Sequence, residues 1–232
     1  MGKEKTTGIT DLSKEYLHKF LTFARKALGY EPIIVGGWAV FALTKAEQSV
    51  DVDILLNSEN DIPKLEPFFK KHCFKKEQDF KGNANFELLL EEPDEIGGIK
   101  IESLVFDIMT KNEKNKLHEN ENIQVPWALA FDHNISIDFE GKKIVIPSPE
   151  VLIIFKAKAL CDRTFDKYKF LEHMRHKKAF AAKKDFKIEK DKRDIKSLVN
   201  TGKIDVEKLE KILKKIKFKE IYERTTEGLI KK

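Results

Sequence analysis

The stretch from Ile33 to Leu56 constrains this chain more than any other. An apolar run, Ile33-Ile34-Val35, stops at Gly36-Gly37, an apolar helical segment follows, and then comes Val50-Asp51-Val52-Asp53-Ile54-Leu55-Leu56. Glycines between a strand and a helix let the backbone turn tightly, and they leave N–H groups at the helix start where phosphate oxygens bind. Side chains alternate along a strand, so the spacing predicts Asp51 and Asp53 on one face and Val50, Val52 and Ile54 on the other. Two carboxylates held side by side repel, and a divalent cation is the usual reason to keep such a pair. An isolated Gly-Gly is most often a plain turn, and D-x-D most often belongs to an exposed edge strand. Together they point to a phosphate beside a metal.

Two metal ions about 3.5–4 Å apart are normally shared by three carboxylates, so a third acid is expected from a neighbouring strand. Asp107 is the choice, because Leu104-Val105-Phe106 and Ile108-Met109 flank it as they would a central-strand residue. Glu102 lies five positions earlier, and on an unbroken strand the two point to opposite faces. Glu87 and Asp138 are lesser candidates and are expected to be exposed.

The remaining sequence builds a frame around this stretch. Asp11 to Leu28 repeats apolar residues at helical spacing, with Asp11 or Ser13 as the expected cap and Gly29 as the stop. A helix over about Trp38 to Lys45 joins the two motifs. A further helix is expected after Asn60 or Asp61, with Pro63 in its first turn. Strands are predicted over Phe74–Phe80, Phe86–Leu90 and Ile99–Met109, followed by a loop over 111–124. Ile135–Phe139 and Lys143–Ile146 flank Glu140-Gly141 as a hairpin. Ser148-Pro149-Glu150 then starts a helical run, read as roughly 149–164, 166–183, 190–200 and 205–223. The fold class is therefore α+β, with a mixed domain over 1–147 and a helical domain over 148–232.

The spacing also carries a resemblance. Val35-Gly36-Gly37, thirteen residues, then Asp51-Val52-Asp53-Ile54 is similar to the signature of the DNA-polymerase-β-like nucleotidyltransferase superfamily. Downstream, Lys156, Ala159 and Arg163, followed by Lys190-Asp191-Lys192-Arg193-Asp194-Ile195-Lys196-Ser197-Leu198, resemble the AbiEii-type branch and its K-D-x-x-D helix. The resemblance implies a nucleotidyltransferase fold and transfer of a nucleoside monophosphate from an NTP to an acceptor hydroxyl. It implies that Gly36 and Gly37 hold the triphosphate and that Asp51, Asp53 and Asp107 bind Mg2+ or Mn2+. Lys156, Arg163 and Lys190 would meet phosphate charge, with Asp191 and Asp194 as alternative, structural partners of those bases. The AbiEii-type likeness implies a toxin-like enzyme acting on RNA or tRNA, with an antitoxin protein as partner.

Charge distribution supports a polyanionic acceptor. Lys167 to Arg193 holds eleven Lys and Arg against four acids, so this segment exceeds the +5 of the whole chain. Clustered positive charge is what RNA phosphates reward. The competing expectation is a plain solvated lysine face, with Phe165, Tyr168, Phe170 and Phe180 serving as helical core. His173 and His176 lie in the same cationic segment and are read as surface residues. Transfer to a small hydroxylated molecule, such as an aminoglycoside-type antibiotic, is the second reading. A nucleotide-binding protein without transfer activity is the third. No apolar run reaches the ~20 residues of a membrane span, and Met1 to Tyr16 lacks the apolar segment of a signal peptide, so the expected location is the cytoplasm. Cys73 and Cys161 lie far apart without metal-ligand spacing, as free thiols would.

Overall fold

The computed structural model describes residues 8–80, 82–93, 99–173 and 178–230. The chain forms two compact units that are discontinuous in sequence. The first comprises Met1–Trp38, Gln48–Glu113 and Ser136–Ile146, and the second Ala39–Glu47, Lys114–Ile135 and Pro147–Lys232. The last crossing, between Ile146 and Pro147, lies beside the boundary read at 147/148. The earlier exchanges carry no compositional mark in the sequence. No described helix is long and apolar enough to cross a membrane.

The first unit is built on a seven-stranded mixed sheet. Its strands are β1 (Ile33–Val35), β2 (Val52–Leu56), β3 (Lys75–Phe80), β4 (Asn83–Pro93), β5 (Ile99–Thr110), β6 (Asn134–Phe139) and β7 (Lys142–Pro147). They lie in the order β3-β4-β5-β2-β1-β7-β6. The central strands β1 and β2 are antiparallel, while β2 runs parallel to β5 and β1 parallel to β7. The apolar runs of the sequence occupy these strands because both of their faces are covered: Ile34, Val52, Ile54, Leu55, Leu56, Phe106 and Ile108 are fully buried. The β6–β7 turn has positive φ at both Glu140 and Gly141, as a type I′ turn requires, and the Asp138 carboxylate accepts from the Gly141 N–H.

Helices α1 (Ile9–Leu28) and α3 (Ile62–Lys71) contribute the aromatic core of this unit. Phe69 stacks on Phe86 with centroids 3.8 Å apart, and Phe20 and Phe74 each meet the Phe106 ring. Gly29 ends α1 in the left-handed conformation, its N–H donating to the Arg25 carbonyl. The start of α1 differs from expectation. Gly8 is its N-cap, and Ser13 is no cap at all but a fully buried hydroxyl inside the helix. At α3 the expected Asp61 makes no capping bond. Ser58 caps the short 3-10 turn Glu59–Asp61 ahead of it, while Asp61 takes the Tyr30 hydroxyl at 2.8 Å and the Lys64 ammonium at 2.7 Å.

In the second unit the helices are α4 (Ala128–Asp132), α5 (Pro149–His173), α6 (Lys178–Asn200), α7 (Val206–Lys215) and α8 (Lys219–Thr226). The helix breaks expected near residues 165 and 184–189 do not occur. No glycine or proline stands between Phe165 and Asn200, and the Lys-, Ala- and Leu-rich stretches on either side are good helix formers. Residues 111–124 hold no helix or strand beyond an isolated Lys116–Gln124 bridge. The short α4 was not foreseen, since five residues are too few to show a period.

Candidate functional site

Helix α2 (Gly36–Thr44) begins directly at the end of β1, two residues earlier than its periodicity suggests. Gly36 has φ +63, a conformation that L side chains rarely adopt. A Cβ placed on it would lie 1.8 Å from Asp53 Oδ2. The two halves of the sequence signature therefore touch: the Asp53 carboxylate packs against the bare Cα of Gly36 at the start of α2. An acid here is favoured by the positive end of the helix.

The sheet register extends this contact sideways. Asp53 is the ladder partner of Val35 on one side and of Asp107 on the other, and Asp107 is the partner of Asn85. Partners across a ladder share a face, so Asp53, Asp107 and Asn85 line up on one rung. Asn85 donates its amide to Asp107 Oδ1 at 2.6 Å. Asp53 and Asp107 are both half-buried, between full core and open solvent. Asp51 sits one residue ahead of β2, in a bend and outside the ladder, so strand alternation does not fix its direction. Glu102 is five rungs from Asp107 on the unbroken β5, and Glu87 is half-buried rather than exposed.

The donor chemistry of the rung, hard carboxylate oxygens, fits Mg2+ or Mn2+. Among the described residues no three His, Cys, Asp or Glu side chains are gathered into a group that could hold a metal ion on their own.

The residues expected to meet phosphate from the helical half lie in the second unit. Lys156 on α5 is 8% exposed. Its ammonium stands 2.6 Å from Asp194 Oδ2 and 3.2 Å from Asp191 Oδ1, and Arg163 pairs with Asp191 Oδ2. Burial alone would pull the Lys156 pKa down, but the two carboxylates outweigh it and raise it. Lys156 is thus held charged inside an ionic knot that joins α5 to α6. Lys190 is half-buried on α6. Of the basic stretch 167–193, residues 174–177, and with them His176, lie outside the described residues, as do the side chains of Phe170, His173 and Phe180.

Two contributors escaped sequence reasoning. Asn85 carries no local signal, because only the register brings it beside Asp107. Ser13 left one: it stands at helical spacing with Leu17, Phe20 and Ala24 on the buried face, where a hydroxyl needs a partner.

No family model and no curated protein matches this chain in sequence. In structure it is similar to the antibiotic-resistance factor ANT(2'')-Ia, with 13% identity over 92% of this chain and 95% of that one, at a TM-score of 0.49. It is similar to the lincosamide antibiotic adenylyltransferase LnuA, with 18% identity over 80% and 95% of the two chains and a TM-score of 0.45. It is also similar to an antigenic nucleotidyltransferase-like protein from Paracoccidioides brasiliensis, with 18% identity over 95% of each chain and a TM-score of 0.45. At such identities and scores no residue role passes from these proteins to this one, and the chemistry rests on its own side chains.

Proposed function

We propose that this chain is a divalent-metal-dependent nucleotidyltransferase of the DNA-polymerase-β-like fold. The observation that carries the proposal is the packing of Asp53 against left-handed Gly36, with Asp107 beside it on the same rung. One place in the first unit thereby brings together carboxylates for a cation and helix-start N–H groups for phosphate. Gly36 and Gly37 would hold the triphosphate, and Asp51, Asp53 and Asp107 would hold Mg2+ or Mn2+. The metal, when bound, supplies charge neutralisation on the phosphate oxygens. The acceptor hydroxyl attacks the α-phosphorus, forming a new P–O bond as the bond to the β-phosphate oxygen breaks and pyrophosphate leaves. The hydroxyl proton passes to a carboxylate of the same set. In the second unit we assign Lys156 and Arg163 to holding α5 against α6.

RNA, tRNA included, is the acceptor we favour, on the charge of the 167–193 segment. A toxin-like role would then call for an antitoxin, detectable as a protein whose co-expression restores growth. A small hydroxylated acceptor is the second reading. A cavity of about 490 Å3 within the second unit gives it no acidic pocket, since Glu119, Asp185 and Glu189 there are paired with Arg224, Lys167 and Lys192.

The test is incubation with each α-labelled NTP, Mg2+ and either total RNA or an aminoglycoside panel, in parallel with Asp53→Asn. Labelled product from the parental protein and a loss of about 100-fold or more in the variant are expected. Equal transfer by a folded Asp53→Asn protein would sink the metal assignment.

A further inference from the structure

Ser13 lies on the second turn of α1, is fully buried, and makes two hydrogen bonds that no helix cap or core packing calls for. Its Oγ donates to the Val50 carbonyl at 2.6 Å, and it accepts from the Trp38 indole Nε1–H at 3.0 Å. Val50 immediately precedes Asp51, and Trp38 immediately follows Gly37. One hydroxyl from a third element therefore joins the glycine turn to the approach of the aspartate strand. Val50 lies outside β2, so no ladder bond of β1 or β5 holds its carbonyl.

We infer that Ser13 is a positioning residue for the metal and phosphate site, fixing the 36–38 turn and the 50–53 segment in register with each other. The inference rests on the nucleotidyltransferase reading. A serine serves here because one hydroxyl can donate and accept at once, which alanine cannot do and a thiol does poorly. Ser13→Ala removes the hydroxyl partner of two groups at once, the part-buried Val50 carbonyl and the buried Trp38 N–H, both beside site residues. The effect should therefore appear where Asp51 and the glycines act.

Three variants test it: Ser13→Ala, Ser13→Cys, which nearly keeps the volume but weakens both bonds, and Trp38→Phe, which removes the indole donor together with part of a buried ring. The direct readout is Mn2+ binding in the presence of NTP, followed by the electron paramagnetic resonance signal of free Mn2+. It is set beside kcat, the KM for NTP and a thermal melt. The expected result is a Mn2+ dissociation constant raised about tenfold in Ser13→Ala, and less in Ser13→Cys and Trp38→Phe. At saturating metal kcat should fall, while the KM for the acceptor should not move. If Ser13→Ala does not fold, a raised Mn2+ dissociation constant in folded Ser13→Cys decides. Folded variants that bind Mn2+ and turn over like the parent would show Ser13 to be a packing residue and overturn this inference alone. A parental protein that binds no Mn2+ with any NTP would overturn the metal reading and this inference with it.

Discussion

Asp191 and Asp194 in the second unit, and Asp53 and Asp107 in the first, are two close pairs of aspartates held in opposite ways. Asp191 and Asp194 stand three apart on α6, each 1% exposed, with Lys156 and Arg163 from α5 set against them. Two bases answer two acids within one helix pair. Asp53 and Asp107 come from two strands, are half-buried, and stand where α2 begins at a glycine that admits no side chain. The first arrangement spends its charge on joining helices. On the proposed reading the second keeps its carboxylates for a cation and phosphate. What separates the two pairs is burial and setting: one is enclosed between two helices, the other is half-buried on a sheet rung beside a glycine turn.

Substitutions that trade stability against activity are the sharpest way to break this contrast. Lys156→Met leaves Asp191 and Asp194 facing each other in the interior, and a cost of about 3–5 kcal/mol is expected, read from urea denaturation. Asp53→Asn should change the same midpoint little while removing transfer. Were Lys156→Met as stable as the parent, the knot would be no structural device and Lys156 would return to the list of phosphate ligands. Gly36→Ala combines a left-handed backbone with a Cβ on top of the Asp53 carboxylate. It should lose about 1–3 kcal/mol and, because Asp53 must move, most of its nucleotide transfer.

A pH dependence sharpens the comparison further. Burial alone would raise the Glu150 pKa, but Lys208 at 2.8 Å, the Ser148 hydroxyl at 2.6 Å and the Asp205 N–H at 3.0 Å together hold it below the usual carboxylate range. A lowered folded pKa means stability present above the unfolded value and lost as pH falls through the folded one. The second unit should weaken on acidification below about pH 4.5, and Glu150→Gln should flatten that slope in urea titrations taken at successive pH values. The smallest effect belongs to the thiols. Cys73 is exposed, whereas burial pushes the Cys161 thiol up to about 11. At pH 8 iodoacetamide should modify Cys73 first, with Cys161 following only as the second unit opens, and faster in Lys156→Met.

Much of the first unit was legible in the sequence because its signals are local. Gly29 as a helix stop and the Glu140-Gly141 turn each follow from residues within one turn, whereas the alternation expected to set Asp51 beside Asp53 stops short, because Asp51 lies outside β2. The choice of Asp107 over Glu102 rested on the apolar residues that flank it, and the ladder pairs Asp107 with Asp53. What was illegible depends on partners distant in sequence. Asn85 acquires meaning only through register. The buried state of Lys156 depends on α6 lying against α5, and in a lysine-rich helix no local pattern distinguishes it from a solvated neighbour. Ser13 was misread because a serine near a helix start is usually a cap, and only its place on the apolar face argued otherwise.

The parallel pairing of β1 with β7 bears on how the protein is made. Ile33 finds its partner at Val145, so more than a hundred residues must leave the ribosome before that edge of β1 is covered. The rung of Asp53 and Asp107 needs nothing beyond Thr110. During synthesis the acids can therefore be assembled while Ile33, Ile34 and Val35 still present an open strand edge, the kind that recruits other chains. Nascent chains stalled between residues 110 and 140 should be the form most dependent on chaperones, with release from them coinciding with emergence of the β6–β7 hairpin.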